Sequence, residues 1–379
     1  MSASNPDTSR TRQNSMEGNT VEYKKRAGDF LNRAVDSLLP LAAVPFAMII
    51  GAGLLLLFKV NPLLAYQSLL QGAFGDKIGI TQTLVKATPL LLVGLGVAIA
   101  FRGGVINIGG EGQLIIGALA ATAFSVANAA MPSVFLLPVT LIVATLAGAA
   151  WGAIPGALKA WLSVNEILST VMMNAIALQL SNYLLRGPMI DPAEIEAGTR
   201  IAQSALLPKA VWLSKLVPRT LLHSGAIIAV VMAVLVYILL WRTSVGYRIR
   251  AVGLNANASR YAGIPVKVYQ MLALTFGGAF AGLAGAIEVV GVQHRMMEGL
   301  SSGYGFAGIV AALFGKLHPL GAIPAAIFFG GLMEGGNKMQ RAMQVPSALI
   351  DTLLGLIVIF VVSAEIWSRY RARRRQTNV

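Results

Sequence analysis

Apolar residues come along this chain in long runs, parted by short stretches rich in glycine, proline and basic residues. A helix needs about 20 mostly apolar residues to cross a bilayer. Ten runs approach that length: 38–58, 82–101, 113–131, 134–157, 167–185, 222–241, 269–291, 304–316, 319–336 and 347–367. The run 304–316 is short and pairs with 319–336 across Leu317-His318-Pro319. This pattern predicts an all-α polytopic membrane protein with about ten transmembrane helices. It also predicts a polar extension (1–37), a membrane domain (38–367) and a basic tail (368–379).

Composition agrees with the pattern. Apolar residues make up 56% of the 379 and charged residues only 12%, where soluble domains carry roughly 25% charged. Forty glycines suit membrane helices, whose backbones approach through small residues. Gly148, Gly152 and Gly156, Gly278 and Gly282, and Gly331 and Gly335 repeat at four-residue spacing and mark such faces. Cysteine is absent, which excludes disulfides, thiolate metal sites and cysteine nucleophiles. His223, His294 and His318 lie too far apart for a sequence-local metal motif.

The net charge of +14 reads as positive charge gathered on cytoplasmic segments, not as a nucleic-acid surface. With both termini cytoplasmic, Lys24-Lys25-Arg26, the loop 242–268 and the tail from Arg369 fall inside, and the loop 186–221 falls outside. No cleavable signal peptide is evident ahead of Leu38.

One polar interruption stands out: FRGGVINIGGEGQ, residues 101–113. It is no dinucleotide fingerprint, because Ile115 stands where the third glycine belongs, and no lysine follows as an ATP-binding loop requires. Between two apolar runs it forms either a cytoplasmic turn or a re-entrant break lining a pathway. Asn107, Glu111 and Gln113 are suited to bind a polar solute or to tie the loop to its neighbours. A second interruption, 317–318, separates the eighth and ninth runs. Matching interruptions suggest two pseudo-symmetric halves around a substrate path.

Lys86, Glu166, Glu288, Glu334 and Asp351 are the ionisable residues within or beside runs, and all lie toward run ends. They form no regular relay, which argues against a proton-coupled carrier. No zinc-protease, serine-hydrolase or Walker motif is present, which argues against a membrane-embedded enzyme. Uphill transport by this chain would draw on an ion gradient or on another subunit.

The inside loop bears on that choice. Gly246-Tyr-Arg-Ile-Arg-Ala-Val-Gly253 leads to Asn255, and Asn255–Tyr261 reads as a short helix stopped by Gly263-Ile264-Pro265. The stretch resembles the cytoplasmic coupling loop of ABC importer permeases, in the branch serving branched-chain amino acids, ribose-type sugars and nucleosides. The matching residues are Gly246, Arg250, Ala251, Gly253, Asn255, Ala258, Gly263 and Ile264; Ser259 departs from a common alanine pair. The segments 102–113 and 305–330 resemble the same family, and VNEILSTVMMN (164–174) is most similar to its nucleoside permeases.

The resemblance implies a fold of ten spans in the bacterial cytoplasmic membrane. It implies a permease that hydrolyses no ATP and binds no cofactor; ATP and magnesium are used by a partner cytoplasmic ATPase. The other partners implied are a second permease subunit, an external solute-binding protein and lipid, with no nucleic acid. Arg250, Asn255 and Arg260 are then expected at the ATPase, with Gly253 and Gly263 shaping the helix ends. Asn107, Glu111, Gln113 and Asn174 are expected along the path of a nucleoside or related riboside. A ribose-like monosaccharide and a gradient-driven carrier are the alternatives.

Overall fold

Short polar residues set the helix starts. Asn61 Oδ1 accepts from Leu63 N at 2.9 Å and, with Pro62 in the first turn, opens a helix. Asp76 and Asn165 cap the next ones in the same way, accepting from Gly79 N at 2.6 Å and Ile167 N at 2.9 Å. The computed structural model describes residues 45–346 and, beyond them, 348–350, 352, 353, 355, 356, 359, 360 and 363. The extension 1–37, residues 38–44, the tail 368–379 and much of the run 347–367 lie outside the described residues. Contacts divide the chain into two units, and the architecture below concerns the larger one, Leu55–Leu354.

In chain order the helices are α1 (Pro45–Leu57), α2 (Pro62–Phe74), α3 (Lys77–Arg102), α4 (Gly110–Ala127), α5 (Ser133–Leu162), α6 (Glu166–Arg186), α7 (Pro192–Glu196), α8 (Gly225–Arg242), α9 (Ser244–Leu254), α10 (Ala256–Tyr261), α11 (Val266–Glu288), α12 (Tyr304–Phe314) and α13 (Pro319–Met343). A π-turn, Val289–Gln293, extends α11, and a 3-10 turn covers Lys209–Val211. No strand occurs among the described residues, only isolated bridges between Gln203 and Met297 and between Lys215 and His223.

Six helices are long and apolar enough to cross a membrane: α3, α4, α5, α6, α8 and α11 with its π-turn. Taking α1 and α2 as one interrupted span makes seven. The expected run 304–316 is α12, only 11 residues long. The run 319–336 is the first part of the 25-residue α13. Besides the expected short helix α10, three helices fall outside the expected runs: α2, with Gln67 and Gln71 among apolar residues, the five-residue α7 in the loop 186–221, and α9 in the loop 242–268.

The core forms around α3 and α11, with 83% and 78% of their apolar stretches buried, against 22% for α5 and α6. Close backbone approach makes this possible. A Cβ on Gly282 would lie 2.5 Å from Ala144 O, and one on Gly152 would lie 2.5 Å from Leu274 O, so α5 and α11 touch along their glycine faces. The pair Gly331 and Gly335 presents α13 to α2 in the same way, against Phe74 and Leu69.

The long segment between α6 and α8 is fastened to the chain that follows α11. Ser204 N donates to Met296 O at 2.8 Å, Leu207 N to His294 O at 2.9 Å and Leu213 N to Val290 O at 3.1 Å. Trp212 stacks on His294 with centroids 3.9 Å apart. Arg186 pairs with Glu298 at 3.0 Å.

Just ahead of α8, His223 is buried and its Nδ1 accepts from Gly225 N at 3.1 Å. Burial, with His294 nearby, pushes its pKa from 6.5 down to about 4. Below pH 6.5 the unfolded chain takes up this proton and the folded one does not, until about pH 4. The stability present above 6.5 is therefore lost as pH falls, by ~2 kcal/mol at about pH 5. Thermal unfolding of the purified protein is expected to show this loss, and His223→Gln to flatten the pH dependence. An equally steep dependence in the variant would dismiss His223 as its source.

Candidate functional site

Residues 102–113 re-enter the bundle. Arg102 ends α3, yet Gly110, eight residues on, lies beside Val93: a Cβ there would sit 3.2 Å from Val93 Cγ1. Val93 is nine residues before Arg102, or about 13 Å back along α3. The chain thus runs back along the helix it has just left before α4 begins. Of the two arrangements open to this loop, the structure contains the break.

Backbone without helical hydrogen bonds needs other partners at such depth. Asn107 Oδ1 accepts from Gly109 N at 2.9 Å, and its Nδ2 donates to Gln113 Oε1 at 3.0 Å. Asn174, from α6, donates to Ile108 O at 2.9 Å and accepts from Gly112 N at 2.8 Å. Asn107, Gln113 and Asn174 are all buried. Glu111 reaches the start of α12, accepting from Gly303 N at 3.2 Å and Gly305 N at 2.7 Å. A carboxylate at a helix N-terminus satisfies its free donors and complements its dipole. The four expected path residues therefore surround one break, and each is bonded within the protein.

The second interruption meets the first. Arg102 donates through Nε to Leu317 O at 3.2 Å and through Nη2 to Lys316 O at 3.4 Å. Lys316 and Leu317 both have positive φ, 56° and 52°. The guanidinium groups of Arg102 and Arg250 lie 5.4 Å and 5.5 Å from the centre of the Trp241 ring, which also packs on His318.

The stretch 242–268 folds as two short helices. Thr243 caps α9, accepting from Gly246 N at 3.1 Å, and Ile249 and Val252 are buried beneath it. Gly246 lets α9 press against Leu239 and Leu240 at the end of α8. Asn255 ends α9 and caps α10, accepting from Ala258 N at 3.0 Å. Gly263, at φ 77°, turns the chain into α11, a conformation that L side chains rarely adopt. Ile264 N closes this turn on Ser259 O at 2.9 Å.

Leu254 and Tyr261 stand 89% and 95% exposed, with Ala258 and Arg260 exposed between them. Arg250 is not among them; its Nε donates inward to Leu240 O at 2.9 Å. Ala251 N–H···O pairing continues α9, and its carbonyl accepts from Asn255 N at 3.1 Å. Gly253 lies directly on the end of α3: its Cβ would fall 2.8 Å from both Arg102 C and Gly104 N. Leu254, the last residue of α9, and Tyr261, the last of α10, are not among the residues the sequence singled out.

Three of the five ionisable residues beside the spans form ion pairs. Lys86 meets Glu334 at 2.9 Å, and Lys159 meets Glu166 at 2.8 Å. Glu288 is buried beside Gln293, and Asp351 lies outside the described residues. No group of three potential metal ligands occurs among the described residues.

Comparison with known proteins places this architecture. Residues 79–362 match the family described as Branched-chain amino acid transport system / permease component. The guanosine ABC transporter permease protein NupP of Bacillus subtilis is 38% identical over 86% of this chain and 93% of its own length. The glucose ABC transporter permease protein TsgB13 of Haloferax volcanii is 36% identical over 88% of each. The nucleoside ABC transporter permease protein NupB of Lactococcus lactis is 32% identical over 87% of this chain and 92% of its own. With a family match over most of its length and an apolar all-α bundle to house it, this chain belongs to the branched-chain amino acid transport system permease family.

Proposed function

We propose that this multi-pass membrane permease passes a nucleoside or related riboside inward through an ATP-driven ABC importer. The expected ten spans with both termini cytoplasmic belong to this reading. So do an external solute-binding protein, a second permease subunit and a cytoplasmic ATPase that alone uses ATP and magnesium.

The observation that carries it is the contact of Gly253 with the Arg102–Gly104 turn. It puts the exposed α10, the surface offered to the ATPase, one short helix away from the re-entrant break. A shift of α10 would move α9, then Arg102, then both interruptions. Transport of this kind requires an element with two arrangements that both sites bias. In this reading Asn107, Gln113 and Asn174 hold the shape of the break, and Glu111 links it to α12. Similarity to the guanosine and nucleoside permeases supports the substrate class, and likeness to the glucose permease favours a monosaccharide as second reading.

Purification in mild detergent from the host, followed by reconstitution, tests both. An ATPase and a second permease are expected to accompany the chain, and guanosine uptake is expected to need ATP and a loaded binding protein. Uptake of glucose but not guanosine would favour the second reading. Uptake by the chain alone without ATP would refute both.

Gly253→Val tests the linkage. Branched carbon at this contact costs about 1–3 kcal/mol through overpacking. The expected outcome is a higher ratio of ATP hydrolysed to solute moved, with the complex intact. An unchanged ratio would remove Gly253 from the path.

A further inference from the structure

Among the membrane-crossing helices that expose a side, α6 differs from the others in what it exposes. The outward residues of α8 are Ile227, Val230, Val231, Val234, Leu235 and Ile238, all apolar and fit for lipid. Those of α5 are likewise apolar along the span. On α6, steps of three and four residues place Leu168, Met172, Ala175, Gln179, Asn182 and Arg186 on one face. That face is apolar toward the α6 N-terminus and polar toward its C-terminus. Gln179 and Arg186 are exposed, Asn182 is half-buried, and the neighbouring Tyr183 is 68% exposed.

Tyr183 and Arg186 alone would suit a membrane interface, where aromatic rings and long basic side chains settle. Gln179 does not fit that account. It lies seven residues before the helix end, about 10 Å into the span. A carboxamide at that depth needs hydrogen-bond partners that lipid cannot supply. Among the described residues α6 packs chiefly on α4 and α5, and Gln179 stays exposed.

Space is present as well. An open depression of about 570 Å³ is lined by Gln179, Asn182, Tyr183, Arg186 and Gly187, roomy enough for a small solute to lie against this face. Its chemistry is polar but balanced. The only cation, Arg186, already pairs with Glu298 at 3.0 Å, so no free charge remains to attract an anion. Two carboxamides offer donors and acceptors for hydroxyls and for the edge of a heterocycle. The open Tyr183 ring offers a face for stacking.

We propose that the C-terminal half of α6, through Gln179, Asn182 and Tyr183, contacts the solute on its path and selects a neutral, hydroxyl-bearing molecule with a planar ring. This deepens the importer reading above and rests on it. The apolar part of the same face, Leu168 to Ala175, offers no such hydrogen bonds, so the contact belongs to the outer half of the path.

The chain contains no cysteine, so a single introduced thiol is the only one it carries. Gln179→Cys, Asn182→Cys and, as a lipid-facing control, Val234→Cys are placed in the complete importer in membranes. A charged, impermeant thiosulfonate is added outside. The two α6 thiols are expected to react roughly tenfold or more faster than the control, since reaction needs a solvated thiolate. Guanosine-loaded binding protein is expected to slow them further than unloaded binding protein does. Gln179→Leu is expected to cut guanosine uptake roughly tenfold, the loss of about one hydrogen-bonded contact, with ATPase and second permease still bound.

Unreactive α6 thiols would overturn the proposal and assign this face to helix packing with the second permease. Equal slowing by loaded and unloaded binding protein would overturn it too, as would unchanged uptake by Gln179→Leu. Failure of the importer reading itself shows in the wild type, as uptake that needs no ATP, before any thiol is introduced.

Discussion

Guanosine uptake is expected to fall by roughly 100-fold when Tyr261 is replaced by glutamate, the scale of a lost interface hot spot. The inserted amount of the chain is expected to stay normal, because Tyr261 is 95% exposed and supports nothing beneath it. Gly263→Pro should have the same effect by another route. Proline fixes φ near −65° and cannot follow a backbone at 77°. It also removes the N–H that Gly263 donates to Arg260 O at 3.0 Å. The turn that presents α10 would be lost while the spans on either side remain. Co-purification separates the outcomes: the ATPase should no longer accompany either variant. Normal uptake in both would refute the coupling role proposed for 255–264.

The second large effect is expected at Gly278. Its backbone lies against Gly148 and Gly152, and a Cβ there would sit 3.0 Å from Gly152 Cα. Gly278→Leu must drive α11 from α5, and α11 is one of the two helices around which the bundle forms. Overpacking against backbone falls at the upper end of the usual range, about 3 kcal/mol, against a typical total stability of about 5–15 kcal/mol. Little inserted protein is expected, and what remains should unfold at least roughly 5 °C lower. Gly53→Ala is the control, because nothing among the described residues lies within 4 Å of the added Cβ. A Gly278→Leu protein as stable as the wild type would disprove the close α5–α11 contact.

Much of the fold is legible in the runs of apolar residues, because a bilayer demands length and hydrophobicity before anything else. The glycine spacings of α5 and α11 point to the faces that meet. The short helix α10 is legible too, since Asn255 is a good cap and Gly263-Ile264-Pro265 a good stop. Helices α2 and α9 escape. In α2, glutamines break the apolar run; in α9, Gly246 and Gly253 read as punctuation although they serve packing.

The re-entrant course of 103–109 is not legible, because glycines permit a turn and a break equally. Only the placement of Gly110 beside Val93 separates them. The inward bond of Arg250 and the pairing of Lys86 with Glu334 join residues brought together by tertiary structure, and local pattern holds no trace of either. The polar stripe of α6 was readable as spacing, but its exposure was not.

Arg102 gives the two interruptions a common anchor. Its guanidinium holds the carbonyls of Lys316 and Leu317, while its own backbone is held beneath Gly253. One residue thus ties both interruptions, so a displacement of the end of α3 is carried to the carbonyls of Lys316 and Leu317 as well.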